Sequence, residues 1–368
     1  MKNFKLLSLL MILASAFLFV QCTSDPIPGL PGANGTNGTN GIDGVDGSAA
    51  VCISCHSNKH RDVIQAQYDI SVHGTETTMY DGRKLSQYGN RANCAACHTN
   101  QGFADRFTLG DIDLVGPYST TSDQAISCSG CHDDVSGHRS FDFANDGNDY
   151  ALRTLDPVQL IIDPTTSLDM KNDSDLLGYS NTCVNCHQPR TPAPVANTYG
   201  NYAVTSSHWG PHHGPQGTFL YGIGGAILPG AMPAIGDAPH AKGASCVACH
   251  MGEPAAADDG GHTWGPTANA CLKCHDAEPE ASEIMNGSGV TLDALRATLL
   301  TELQTKGLDS TGTKYIFDAT GKLQTGVYPV KVSQAAFNYI LLNEDRSNGI
   351  HNPEYALDLA QNSIDALQ

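Results

Sequence analysis

The chain has 368 residues, of which 38 are acidic and 20 are lysine or arginine, so its formal net charge at pH 7 is -18. An acidic chain of this kind is not expected to bind nucleic acid. Only 16% of the residues are charged, against about 25% in ordinary globular proteins, while 38 glycines, 19 prolines, 13 cysteines and 15 histidines are present. The composition therefore favours long irregular connections over a conventional hydrophobic core.

Residues 1–21 have the pattern of a signal peptide. Two lysines precede an apolar run from Leu6 to Val20, which is too short for a comfortable membrane span. The lone Cys22 that follows resembles the acylation site of bacterial lipoproteins, which implies a lipid anchor in a bacterial membrane, with the outer membrane favoured. Gln21 stands where lipoproteins usually have a small residue, and Ala14-Ser15-Ala16 offers an ordinary cleavage site. Simple secretion and an uncleaved anchor are the alternatives, and all three predict an extracytoplasmic protein, on the periplasmic or cell-surface side.

Glycine occupies every third position from Gly29 to Gly47, which is the period of collagen. Only Pro31 lies inside this repeat, and the tract is too short to hold a triple helix by itself. We therefore predict that residues 22–50 form a flexible tether between the anchor and the next domain. A trimerising collagen-like stalk is the alternative.

Six Cys-x-x-Cys-His motifs follow and use twelve of the thirteen cysteines. Residues three and four apart share a face of a helical turn. Both thiols of a motif can therefore bond to one haem while the histidine ligates its iron. Structural zinc also uses Cys-x-x-Cys pairs, but it does not explain a histidine after every pair. We predict six covalently bound haem c groups, at Cys52-Ile-Ser-Cys55-His56, Cys94-Ala-Ala-Cys97-His98, Cys128-Ser-Gly-Cys131-His132, Cys183-Val-Asn-Cys186-His187, Cys246-Val-Ala-Cys249-His250 and Cys271-Leu-Lys-Cys274-His275.

The motif array fixes the expected fold class. Residues 51–282 offer too little polypeptide to enclose six macrocycles and also build a normal core, so we expect the haems to form the core of this domain. The prediction is a mostly α and irregular-coil protein with little β-sheet, in which Leu152 to Asp163 is a candidate strand.

Residues 283–368 are predicted to form a C-terminal helical segment. Leucines recur at helical spacing between Thr291, a plausible N-cap, and Gly307, a plausible stop. A hairpin is expected around Asp318 to Gly321. Two further helices are expected, from Ser333 to Leu342 and from Asn352-Pro353 to about Leu367.

The stretch from Ala335 to Ala366 resembles the C-terminal helical segment of multihaem cytochromes related to ammonia-forming nitrite reductase and hydroxylamine oxidoreductase. That family places a haem-ligating histidine just before a proline-started helix, and His351 matches this position. The resemblance therefore implies that the C-terminal segment supplies a haem ligand. The catalytic haem of the nitrite reductases is often marked by Cys-x-x-Cys-Lys, which this chain lacks.

Nine histidines remain after the six in the motifs, and six of them would complete bis-histidine ligation of every haem. Ser71-Val-His73-Gly74 also resembles a recurrent distal-ligand context in multihaem cytochromes. We expect the distal ligands to be His73, His138, His208, His213, His262 and His351. His212 is then a surface or supporting residue, while His60 or His240 could replace one of the six, and a methionine ligand is the less favoured alternative.

The supply of histidine favours an electron carrier over an enzyme. The predicted function is transfer of electrons between redox partner proteins, or to an extracellular acceptor, through closely packed bis-histidine haems. The alternative is a multihaem reductase or oxidase of a small nitrogen or sulfur species with one open haem site. Haem-to-haem self-association stays open, because six haems with sparse secondary structure resemble filament-forming cytochromes.

Overall fold

The computed structural model describes residues 58–75, 84–91, 94–118, 125–132, 152–170, 180–275 and 278–368. These residues belong to one compact unit, Ile53–Gln368. Cys22, the glycine repeat, the first motif (Cys52, Cys55 and His56) and His138 lie outside the described residues. The signal peptide, the tether and their boundaries therefore stay predictions.

The described chain is mostly helix and coil with two small antiparallel sheets, which confirms the predicted fold class. One sheet pairs Val158–Gln159 with Ser167–Leu168. The other pairs Asn201–Val204 with Gly326–Pro329. The strand expected over Leu152 to Asp163 is only two residues long, because a turn follows in which the Asp163 carboxylate accepts hydrogen bonds from the next residues.

Short helices carry the motifs and the segments between them. Most have only four or five residues, so each forms about one helical turn and is followed by an irregular connection. Their bounds are Asn58–Ile70, Val72–Thr75, Ala95–His98, Asn100–Leu109, Cys128–Cys131, Asn181–Val184, Gln216–Leu220, Pro239–Gly243, Cys246–His250 and Ala268–Cys271, with 3-10 turns at Leu85–Asn90, Ile112–Leu114 and Gly261–Thr263.

Three long helices close the chain, namely Glu278–Thr305, Val330–Glu344 and Pro353–Leu367. The first begins thirteen residues before Thr291, so the predicted start was wrong. Its sequence starts Glu-Pro-Glu, and both an early proline and acidic residues suit the first turn of a helix. This helix therefore crosses residue 282, where the predicted haem domain ends.

The other secondary-structure predictions for the C-terminal segment are confirmed, with helices at Val330–Glu344 and Pro353–Leu367. The Asn352 side chain accepts a hydrogen bond of 3.2 Å from the backbone N–H of Tyr355, and Pro353 occupies the first helical position. Phe317 and Leu323 form an antiparallel bridge across the turn predicted at Asp318 to Gly321.

The three helices bury a conventional apolar core. Fully buried members include Leu299, Leu303, Ile316, Tyr328 and Phe337. Each such side chain stabilises the fold by about 1.5–3 kcal/mol relative to its exposed state. This core holds the ends of two helices, and with them Asp345 and His351, at fixed positions beside the motif helices.

Candidate haem-binding sites

Five motifs lie within the described residues, and each forms a single helical turn. In four of them the backbone N–H of the motif histidine bonds to the carbonyl of the first cysteine at 2.8–3.1 Å. The fifth, Cys246–His250, is a helix over its whole length. The turn puts the two thiols and the imidazole on one face, as covalent attachment of one haem requires.

Each of the five motif histidines faces one histidine from elsewhere in the chain. The ring centroids lie 6.1–6.5 Å apart in all five pairs. The pairs are His98 with His212, His132 with His262, His187 with His73, His250 with His351 and His275 with His240. We call these five pairs the imidazole pairs.

The separation within the imidazole pairs fits an iron between the rings. An imidazole nitrogen lies about 2 Å from the metal it ligates, and the ring centre lies roughly 1 Å further back. Two rings on opposite sides of one iron therefore have centroids about 6 Å apart. Among the described side chains there is no group of three or more His, Cys, Asp or Glu residues that could hold a metal ion.

Hydrogen bonds fix the tautomer of four of the paired imidazoles. Their Nδ1 atoms lie 2.6–3.1 Å from oxygens that can only accept, so each Nδ1 carries the proton. Each Nε2 is then left with the lone pair that an iron needs. The contacts are His187 to the Gln216 side-chain carbonyl, His250 to the Trp264 carbonyl, His240 to the Ile350 carbonyl and His351 to the Asp345 carboxylate.

Burial keeps several of these imidazoles neutral. It lowers the pKa of His73, His98 and His212 to about 4, with smaller contributions from neighbouring histidines and, at His98 and His212, from Arg190. Burial also lowers the pKa of His187 and His250. Neutral imidazole is the form that ligates metal, so the electrostatic surroundings match the ligand role.

Three predicted distal residues belong to imidazole pairs, namely His73, His262 and His351. His262 is positioned by its backbone N–H, which donates to the Gln67 side chain at 3.0 Å. The Trp264 ring packs edge-on against both His73 and His262, with centroids 4.8 Å and 5.6 Å away. Trp264 therefore contacts one histidine from each of two imidazole pairs.

Two predicted residues face no motif histidine among those the structure describes. His213 is 44% exposed and its Nδ1 lies 2.8 Å from Oε2 of Glu344, while His208 is exposed. The side chain of His60 is outside the described residues, although its backbone lies in the helix Asn58–Ile70.

His212 and His240 take part in imidazole pairs that sequence reasoning had not assigned. His212 has a left-handed backbone with φ of 76°, and its ring centroid lies 5.3 Å from that of His213, with the ring planes at 44°. Nothing in the local sequence distinguishes the two adjacent histidines. His240 follows Pro239 at the start of a helix, and this proline-started context is the one signal that could have raised its rank.

Cysteines of different motifs are close neighbours. Sγ of Cys97 lies beside that of Cys186, and Sγ of Cys183 lies beside that of Cys246. The motif that begins at Cys183 therefore lies directly between the motifs that begin at Cys94 and Cys246. Cys131, from the motif that begins at Cys128, also lies near Cys183 and Cys186.

Residues 36–200 match the family model described as outer membrane cytochrome MtrC/MtrF-like, domains II/IV. The match covers less than half of the chain and contains the first four motifs. No curated protein and no solved structure matches the chain. Cytochromes of this kind carry covalently attached haem c and are electron-transfer proteins rather than enzymes, which agrees with the predicted carrier. The C-terminal resemblance to nitrite reductase-related cytochromes lies beyond the matched residues and stays a prediction.

Proposed function

We propose that this chain is an extracytoplasmic hexahaem c-type cytochrome that passes electrons between redox partners. The observation that supports it is the set of five imidazole pairs, each at the separation that two axial ligands of one iron require. When bound, haem c supplies a one-electron iron couple at each pair.

The protein residues then do three things. The motif cysteines would hold each haem covalently, and the two imidazoles of a pair would both ligate its iron, which would leave no place for a substrate. Buried hydrogen bonds to Nδ1 hold the imidazoles in one tautomer before and after electron transfer. A site arranged in this way changes charge with little movement, which suits a carrier.

The proposed distal ligands are His212, His262, His73, His351 and His240, for the motifs that end at His98, His132, His187, His250 and His275 in that order. His212 replaces His213 in this proposal, and His240 is added. The ligand opposite His56 is then drawn from His60, His138 and His208.

The cysteine contacts support an order of electron transfer that differs from the order along the chain. We propose that the haems on Cys94/Cys97, Cys183/Cys186 and Cys246/Cys249 form one line. The helix Ala268–Cys271 contacts the helix Cys246–His250, so the sixth motif would extend this line. Trp264, which contacts both His73 and His262, would connect the third motif to it as a branch.

Anchorage and partners follow from the N-terminus and the charge. We propose that Cys22 is lipidated at an outer membrane, a location that the name of the matched family supports. No described helix is long and apolar enough to cross a bilayer. The net charge of -18 favours cationic redox partners or acceptors, with association that weakens as salt rises.

Carbon monoxide binding to the reduced holoprotein tests the carrier function. Six irons per chain, all low-spin and unreactive toward carbon monoxide, are expected. Binding to about one haem in six would instead support the alternative, a reductase or oxidase with one open site. Binding to several haems would overturn the ligand proposal as a whole.

A further inference from the structure

Asp345 is a buried carboxylate directly behind one imidazole pair. It follows the helix Val330–Glu344, is 2% exposed, and its Oδ1 accepts a hydrogen bond of 2.7 Å from Nδ1 of His351. Its other oxygen accepts hydrogen bonds from the hydroxyl and the backbone N–H of Ser347. The carboxylate is therefore held in one orientation toward the ring.

The acceptor at His351 differs in charge from the acceptors at the other pairs. Four paired imidazoles have an Nδ1 acceptor within the described residues. Three of them donate to a neutral amide or backbone carbonyl, and His351 alone among these four donates to a carboxylate. A carboxylate draws the Nδ1 proton more strongly than a carbonyl does. The ring gains negative character and becomes a better donor to a metal through Nε2.

This change in the ligand acts on the oxidised and reduced iron differently. Ferric haem carries one more positive charge than ferrous haem, so a more anionic ligand and a nearby buried carboxylate stabilise the ferric state.

The pair His98 and His212 has the opposite environment. The guanidinium of Arg190 is among the groups whose charge acts on both rings. Arg190 also donates to Sγ of Cys94 at 3.8 Å, so it lies at the attachment site of that haem. This nearby cation, which is half-buried, disfavours the ferric state.

We propose that Asp345 lowers the reduction potential of the haem held between His250 and His351, so that it is reduced only after the haem held between His98 and His212. The inference rests on the proposed bis-histidine ligation. Because the motif of His187 lies between these two, electrons would run downhill from the His250 haem, through the His187 haem, to the His98 haem, one electron at a time.

The decisive experiment compares Asp345→Asn with Glu344→Gln in the holoprotein by spectroelectrochemical titration. Asparagine keeps an acceptor oxygen but removes the charge. Mutation of a residue that is hydrogen-bonded to a metal ligand typically costs about 10–100-fold in metal affinity or activity. We expect the reduction equilibrium constant of one haem in six to rise about tenfold, or about 59 mV for one electron.

Glu344→Gln is a matched control, because it removes the same charge from the adjacent residue, which contacts His213. Its charge also acts on His212, but as the smallest of the causes there, so we expect the potentials to change much less than in Asp345→Asn. Asp345→Glu should keep the low potential. Equal shifts in Asp345→Asn and Glu344→Gln, or no shift in either, would overturn the inference.

Two further measurements separate this inference from the ligation on which it rests. His351→Ala should convert one haem to high spin; if it does so while Asp345→Asn shifts nothing, the ligand stands and the role of Asp345 fails. If His351→Ala leaves every haem low-spin, the ligation itself is wrong.

If Asp345→Asn fails to incorporate haem, the near-infrared charge-transfer spectrum of the wild type still tests the role of Asp345. One low-spin haem must then show a band at higher energy than the rest, and its absence would contradict the proposal.

Discussion

The imidazole rings of His98 and His212 face each other with centroids 6.1 Å apart and planes at 81°, although 113 residues separate them in sequence. We expect His212→Ala to leave the second haem without its distal ligand. One haem in six should become high-spin and bind carbon monoxide when reduced. Electronic absorption and EPR spectra of the purified holoprotein measure this directly.

His213→Ala is the matched control for that variant. The neighbouring ring is 44% exposed and contacts Glu344, and a surface pair of this kind contributes about 0–1 kcal/mol. The spectra of His213→Ala should match those of the wild type. A high-spin haem in His213→Ala, with none in His212→Ala, would reverse the assignment.

The pair of His240 and His275 gives a second ligand test. Nδ1 of His240 donates to the Ile350 carbonyl at 2.6 Å, which leaves Nε2 available. His240→Ala should convert a single haem to high spin. Lys242→Ala, in the same short helix Pro239–Gly243, should not. If both variants keep six low-spin haems, the sixth motif takes its ligand from elsewhere.

The planes of the paired rings predict two classes of low-spin EPR signal. Three pairs have planes at 68–81°, and two have planes at 38° and 41°. Crossed imidazole planes split the iron d orbitals little and give one broad feature at high g, whereas more nearly parallel planes give a rhombic spectrum. Quantified spectra of the oxidised protein should contain at least three haems of the first class and at least two of the second. A spectrum in which all six haems are rhombic would contradict these ring orientations.

Arg190 offers a charge test independent of Asp345. Arg190→Gln removes a cation beside Cys94 and the His98 pair, so the ferric state of that haem is stabilised and its potential should fall. A unit charge roughly 10 Å from an iron changes the equilibrium by about tenfold at an effective dielectric constant near 20. Arg190→Lys should retain most of the wild-type potential. A rise in potential on loss of the charge would refute this account, and redox titration gives the sign.

The elements that local chemistry determines could be predicted from the sequence. The Cys-x-x-Cys-His turns follow from covalent attachment, and the last helix follows from its Asn352-Pro353 start. Sequence reasoning could not choose between His212 and His213, because the choice depends on a left-handed backbone at His212 and on Glu344, 131 residues further along the chain. It could not rank His240 either, since its place opposite His275 depends on the tertiary contact with Ile350. Both are long-range relationships that a single sequence does not express.

Asn338 should be a stabilising residue of the C-terminal helices, although it binds no haem. It is fully buried; its Oδ1 accepts from the Ala226 N–H at 2.7 Å, and its Nδ2 donates to the Ala226 carbonyl and to Ser363, both at 3.0 Å. Asn338→Ala leaves these buried groups without partners and opens a cavity, so we expect a loss of about 2–4 kcal/mol, seen as a lower denaturation midpoint. Asn343→Ala removes a similar side chain from the exposed face of the same helix and should cost less than about 1 kcal/mol. Equal midpoints for the two variants would mean that the link from this helix to Ala226 contributes nothing to stability.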